Sequence, residues 1–249
     1  MKSVLIGALS AVALLAVAPA ANAGSGYVGA AYTRAEVDTG LGDDDADGYG
    51  IEGAYAFQAT PSLGVQIDGA YTDADGDDNE AYGITGHVNA RNDSYLFGGF
   101  VGLADVGSET VWSVGLEGEK YYNNLTVAAA AGYASADDSD ADIYGVDGQV
   151  RYFLSDNFRL QGALGYAKVE AGPADDNVWS AGVGGEYQFA SFPVSINAGY
   201  SHSEFDDADI SSDAFTVGVR YNFGGSLKDR DRKGASLAGL SSLASRAGL

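Results

Sequence analysis

The chain has two histidines, no cysteine, and 35 acidic residues against 13 basic ones. These are the side chains that could do chemistry, and their spacing limits what chemistry that is. His202 stands between Ser201 and Ser203. A serine nucleophile needs an imidazole within hydrogen-bond reach, and neighbours on a strand point to opposite faces, so neither serine pairs with it. His87-Val88-Asn89 holds no serine at all. With no cysteine, no metal triad and no phosphate-cradling loop, the sequence predicts no enzyme and no cofactor. Asp43-x-Asp45-x-Asp47-Gly48 opens like a calcium loop, but its twelfth position is Ala54, where a bidentate glutamate is required. Asp73-x-Asp75-x-Asp77 lacks the glycine that would come after it. Both stretches read as solvated loops and no metal site is assigned. Divalent cations bridging lipid phosphates are the sharper alternative.

The elements that position these residues show most clearly in the last apolar run, Phe215 to Phe223. Phe215, Val217, Val219, Tyr221 and Phe223 alternate with Thr216, Gly218, Arg220 and Asn222. A period of two defines a β-strand with two different environments. In a soluble sandwich the polar face meets water; in a membrane barrel the apolar face meets lipid and the polar face lines the interior. The N-terminus bears on this choice. Lys2, the apolar run Val4 to Val17 and Ala21-Asn22-Ala23 read as an export signal over residues 1–23, too short for a membrane helix. No later run approaches the roughly 20 apolar residues of a spanning helix. An exported chain that spans a membrane without helices must be a closed barrel.

A repeat supports that architecture. Segments beginning at Tyr49, Tyr82, Trp112, Tyr144, Trp179 and Phe215 share an aromatic start and then an alternating run, at spacings of 33, 30, 32, 35 and 36 residues. Partner strands lie between them, several ending at Tyr32, Tyr71, Tyr133, Tyr166 or Tyr200. The sequence predicts twelve strands near 25–37, 48–59, 62–73, 80–91, 94–105, 110–122, 124–136, 142–153, 157–170, 177–190, 193–205 and 213–223. Their connections alternate. One set is short: Thr60-Pro61-Ser62, Asn92-Asp93, Asn123-Asn124, Ser155-Asp156-Asn157 and Ser191-Phe192. The other is longer and mostly acidic: Gly42 to Asp47, Asp73 to Glu80, Asp137 to Asp142, Asp175-Asp176 and Asp206 to Asp209. Short periplasmic turns opposite acidic extracellular loops match the asymmetry of outer-membrane barrels. Aromatics gather at both ends as two girdles, with Phe57, Tyr122, Phe153, Phe158, Phe189 and Phe223 at the short-turn end.

On the strength of the export signal, the alternating hairpins and the aromatic-ended last strand, residues 24–223 resemble the porin-like β-barrels of the Gram-negative outer membrane. The fold expected is all-β, a transmembrane up-and-down antiparallel barrel of about 12 strands. The resemblance implies contact with outer-membrane lipid and lipopolysaccharide, recognition of the terminal strand by the barrel-assembly machinery, and passage of small hydrophilic solutes or cations. It leaves a homo-oligomer open. One departure is that 26 residues come after the terminal Phe223.

With the apolar set facing lipid, the other face carries Glu52, Asp68, Glu117, Glu119, Asp147 and Glu186, opposed by Arg151, Arg159 and Arg220, with His87 among them. These ten are the candidate pore-lining residues. The rest of that face reads as mostly Gly, Ala, Ser, Thr and Gln. Strand spacing and tilt give such a barrel a backbone radius of roughly 12 Å. Net charge is −22; setting aside Lys2 and the five basic and two acidic residues after Phe223 leaves 7 basic residues against 33 acidic. That balance excludes nucleic acid as a partner and predicts a weakly cation-preferring pore for passive diffusion. The alternative is a closed structural or surface-interaction barrel whose inner charges only form ion pairs. Residues 224–249 form a periplasmic tail, basic at Lys228, Arg230, Arg232 and Lys233 and then rich in Ser, Ala and Leu. Left as a bare extension it has no role; folded back, its basic part would meet the acidic interior as a partial plug.

Overall fold

The computed structural model describes residues 24–40, 42–74, 80–137, 139–208 and 210–237. The expected export signal at 1–23, Asp75 and Asp77 of the second acidic run, and the tail beyond 237 lie outside the described residues. Twelve strands run in order: β1 (Ser25–Asp38), β2 (Asp43–Thr60), β3 (Leu63–Ala74), β4 (Glu80–Arg91), β5 (Tyr95–Val106), β6 (Glu109–Tyr121), β7 (Leu125–Ala136), β8 (Ala141–Ser155), β9 (Phe158–Ala171), β10 (Ala174–Gln188), β11 (Val194–Phe205) and β12 (Ile210–Phe223). A short helix, α1 (Leu227–Lys233), comes after them. Each strand pairs antiparallel with its sequence neighbours, and β1 closes onto β12 in a register running from Gly26↔Phe223 to Asp38↔Ser211. Closure satisfies every strand edge, which a sheet in hydrocarbon requires.

Alternation determines which face is which. On β12, Val217, Val219 and Tyr221 are about half exposed, whereas Asn222 is 2% exposed. The same contrast recurs around the barrel, with Val101, Leu103, Leu116, Val146, Leu164 and Val183 all on the outside. A continuous apolar belt of this size is a lipid-facing surface. Replacing Leu116, 60% exposed at mid-strand, by Arg is expected to cost about 2–4 kcal/mol of folding free energy. Urea titration in vesicles measures it; a variant as stable as the parent would contradict the lipid-facing assignment.

The extracellular aromatics sit side by side on neighbouring strands: Tyr32–Tyr49, Trp112–Tyr133 and Tyr133–Tyr144 have ring centroids 5.2 Å apart, and Tyr200–Phe215 5.0 Å. Their hydroxyls point toward water. Tyr32 donates to Asp47 at 2.6 Å, Tyr166 to Asn177 at 2.9 Å, and Tyr200 to Asp213. The acidic residues next to the girdle thus anchor rings whose bodies face lipid.

Three expectations change. The acidic stretches Asp43–Asp47 and Asp175–Asp176 lie in strands, not loops: β2 begins at Asp43 and β10 at Ala174. The hairpins continue past the bilayer because cross-strand partners hold them, as where Arg34 meets Asp45 at 2.6 Å. An extended strand cannot wrap an ion, and among the described residues no group of three metal-capable side chains comes together. Phe153 is not a girdle residue. Tyr152 and Leu154 face outward, so Phe153 faces the interior, 1% exposed. Finally, the inner wall is less uniformly small and polar than expected. Near the extracellular end it carries apolar clusters: Phe100 and Ala134 with Val111 and Ile143, and Val178 and Phe205 with Val169 and Ile210. The second cluster joins strand tips at the extracellular end, and the first reaches down to mid-strand at Phe100.

Candidate functional site: the lumen and the returning tail

Even-numbered residues of β2, β3, β5, β7, β10 and β12 and odd-numbered residues of the other strands face inward. All ten candidate charges lie on that face. Asp147 is half-buried on β8; the other nine gather into three nodes in the middle and periplasmic parts of the lumen.

In the first node His87 bridges two carboxylates. Its Nδ1 lies 2.9 Å from Glu117 and its Nε2 2.6 Å from Asp68. The ring is 1% exposed and rests 5.9 Å from Phe100. Gly115 makes room for that phenyl group, since a Cβ there would stand 2.4 Å from its ring. His87→Ala would leave Asp68 and Glu117 facing each other without their shared partner. The expected loss is about 3 kcal/mol, read from urea unfolding; an unchanged midpoint would mean the bridge contributes nothing.

The second node centres on Arg151, which donates to Glu119 and to Asp231 of the tail. Glu119 also accepts from Tyr121 at 2.6 Å and from Ser236 at 3.1 Å, and Asp231 accepts from Thr126 at 2.6 Å. All four charged and aromatic partners are 5% exposed or less.

The third node is Glu186, 2% exposed. It accepts from Arg159 at 2.8 Å, Arg220 at 2.9 Å, Arg230 at 3.1 Å and Ser195 at 2.7 Å. Arg220 also reaches Glu52, two strands away. Gly29 of β1 sits between them in register, and only a glycine allows the crossing: a Cβ there would lie 2.7 Å from the Arg220 side chain. The guanidiniums of Arg220 and Arg230 stand 4.6 and 4.8 Å from the ring of Tyr27, a cation–π arrangement.

Arg230 and Asp231 belong to α1, so two of the nodes are completed by the tail. After Phe223 the chain turns through Gly224 and Gly225, both at positive φ, which glycine adopts without strain. Ser226 caps the helix and Asp229 closes a capping box with it. Leu227 is fully buried. The tail then crosses the periplasmic end of the lumen. Lys228 donates to Asn124 at 2.9 Å, Arg232 to the Leu125 carbonyl at 3.1 Å, and Arg91 to the Gly234 carbonyl at 2.9 Å. Gln66 holds Ser236 and Leu237. The segment runs from β12 past β7 to β3 and β4 on the far wall.

The Ser226 hydroxyl holds the Asp229 carboxyl below its ordinary value near 3.8. A carboxylate depressed in the folded state adds stability above that ordinary value, and the contribution disappears as pH falls through its own, lower value. Hydrogen exchange of the α1 amides, corrected for intrinsic rates, is therefore expected to accelerate below about pH 4. Asp229→Asn should remove that acid dependence.

Sequence reading missed Arg91, Gln66 and Tyr27. Arg91 shares strand parity with His87 and Asn89, which was a usable signal. Among the partners contributed by the tail, Arg230 had a signal in the basic charge of its stretch, and Asp231 had none.

A closed antiparallel barrel of twelve strands, apolar outside, girdled by aromatics and polar within, defines an outer-membrane β-barrel protein. The family model of the outer membrane protein beta-barrel domain matches residues 81–223, and the chain belongs to that family. It therefore resides in the bacterial outer membrane. Among solved structures it is similar to the KdgM porin, at 13% identity over 78% of this chain and 99% of that one, with a TM-score of 0.53. It is similar to the NanC porin at 8% identity, over 78% and 100%, with a TM-score of 0.56. It is also similar to the translocator domain of the autotransporter NalP from Neisseria meningitidis, at 13% over 80% and 88%, with 0.52. At such identities the likeness is one of fold. No curated protein matches the chain.

Proposed function

We propose that the protein is a porin, a water-filled and weakly cation-preferring channel through which small hydrophilic solutes diffuse passively. The observation that carries this reading is the inner wall from β7 to β12. At mid-height it is built of small, half-exposed residues, among them Ala128, Gly132, Ala163, Gly182, Gly199 and Gly218. Bulky inward groups such as His87 and Phe100 stand on the opposite side, so a solute path would run off-centre along the small-residue wall. Cation preference is supported by the net charge of −22 and by the carboxylates at the strand tips. The inner nodes are close to neutral once the tail is in place. The terminal strand ending at Phe223 would present the chain to the assembly machinery. We assign no catalytic activity; this is supported by His202, whose Nδ1 lies 3.0 Å from Asp213 while Ser201 and Ser203 face the lumen.

The test is single-channel recording of residues 24–249 in a planar bilayer under a salt gradient. Steady conductance with a reversal potential on the cation side is expected. The tail and the three nodes, which cross the lumen, favour a second reading of a closed structural barrel. Folded, inserted protein that passes no current would establish that reading and remove the porin.

A further inference from the structure

We infer that the arginine node around Glu186 is a binding site for a small oxoanion, a carboxylate or phosphate carried by a hydrophilic solute. Three guanidiniums, Arg159, Arg220 and Arg230, converge on the one carboxylate of Glu186, and among the described residues Glu52 is the only other acid bonded to them. The cluster thus carries one positive charge in excess. Its donors are not used up. Arg230 Nη1 and Arg159 Nε are buried and have no hydrogen-bond partner among the described residues, and Arg230 as a whole is 4% exposed. Arg91, Arg151 and Arg232 also carry an unpaired Nε, but among the described residues only at Glu186 do the unpaired donors accompany an excess of positive charge within an ion-paired cluster, and guanidinium is the group that binds planar oxoanions through paired donors. The node is also reachable from the lumen, since the side chains of Arg159 and Arg220 are 12% and 18% exposed.

Two amides border the cluster, Gln161 two residues beyond Arg159 on β9 and Asn197 across from Glu186 in the β10–β11 register. Gln161 pairs with Gly184 and lies against it, its Cγ 3.6 Å from where a Cβ would be; Asn197 pairs with Gly218 and covers it in the same way. Both are half-exposed, and neither has a hydrogen-bond partner among the described residues. Amides beside guanidiniums suit a solute with hydroxyl groups behind its anionic end. The acidic exterior does not contradict this, because the site is local and screened from the strand tips by more than a Debye length of roughly 8 Å. The inference relies on the channel reading only for the route by which the solute arrives.

The test is isothermal calorimetry on the folded, detergent-solubilised mature chain. The probes are sodium gluconate and inorganic phosphate, with glucose as the uncharged control. Saturable binding of gluconate or phosphate, and none of glucose, is expected. Arg159→Gln, which leaves every tail contact in place, should weaken binding roughly tenfold or more. Glu186→Gln removes the competing carboxylate and should strengthen it by a similar factor, with a thermal midpoint that rises as the anion is added. The second variant guards against loss of folding in the first, because it predicts a gain. Equal heats for gluconate and glucose, or variants that bind as the parent does, would overturn the site. Calorimetry needs no conductance, so binding without current sinks only the porin, and current without binding sinks only this inference.

Discussion

Removal of residues 225–249 is expected to raise the single-channel conductance about fivefold or more. The reason is geometric. A twelve-strand barrel has a backbone radius of roughly 12 Å, and its inward side chains take up part of that. A helix with its side chains is about 10–12 Å across, and α1 is packed inside the periplasmic end, with Leu227, Arg230 and Asp231 all buried. Beyond the helix, Gly234 to Leu237 continue to the far wall at Arg91 and Gln66. Withdrawing this segment opens most of the cross-section there. The barrel itself should survive, because β12 ends at Phe223 and its pairing with β1 does not involve the tail. Heat-dependent migration on gels checks the fold and planar-bilayer recording checks the current. A truncated barrel that folds and conducts as the full chain does would show that the tail does not narrow the path. The cluster at Glu186 would lose Arg230 at the same time, so the cation preference should grow as well.

Arg151→Met should be the most damaging single substitution in the lumen, at about 4 kcal/mol. Arg151 is 3% exposed and is the cation shared by Glu119 and Asp231, themselves 4% and 2% exposed. Removing it leaves two buried carboxylates near one another, Glu119 with only the hydroxyls of Tyr121 and Ser236, and Asp231 with the Thr126 hydroxyl and the Arg232 guanidinium 3.2 Å away. Replacing a whole buried ion pair by apolar or neutral groups costs far less than removing one partner. The triple variant Arg151→Met, Glu119→Gln, Asp231→Asn should therefore recover at least half of the loss. Urea unfolding monitored by tryptophan fluorescence measures both, Trp112 and Trp179 being the only tryptophans. If the triple variant is as unstable as the single one, the damage comes from the lost side-chain volume of Arg151 rather than from stranded charge.

Much of this architecture was legible in the residues themselves. The strand count, the direction of each side chain and the outer-membrane setting come from a period of two read against a bilayer. That rule is local: Val217 faces lipid because Thr216 and Gly218 do not. Parity also brought the ten inner charges to one face. It failed where a local cue competed with it. Phe153 was placed among the girdle aromatics by residue type although Tyr152 and Leu154 already claimed the outside, and a register irregularity between Phe153 and Ser155 blurs the phase there. The Asp43–Asp47 run was read as loop from its charge, although Val37↔Asp44 and Glu36↔Asp45 continue the ladder.

What only the tertiary structure decided is which charge meets which. Arg220 and Glu52 are 168 residues apart and become neighbours only because β1 closes the sheet between them, with a glycine at the crossing point. Asp231 reaches Arg151, and Arg230 reaches Glu186, because the chain reverses after Phe223 and enters its own barrel. A two-residue period specifies the face on which a side chain stands. It does not specify the partner across a lumen, which depends on closure, register and the path the tail takes after Phe223.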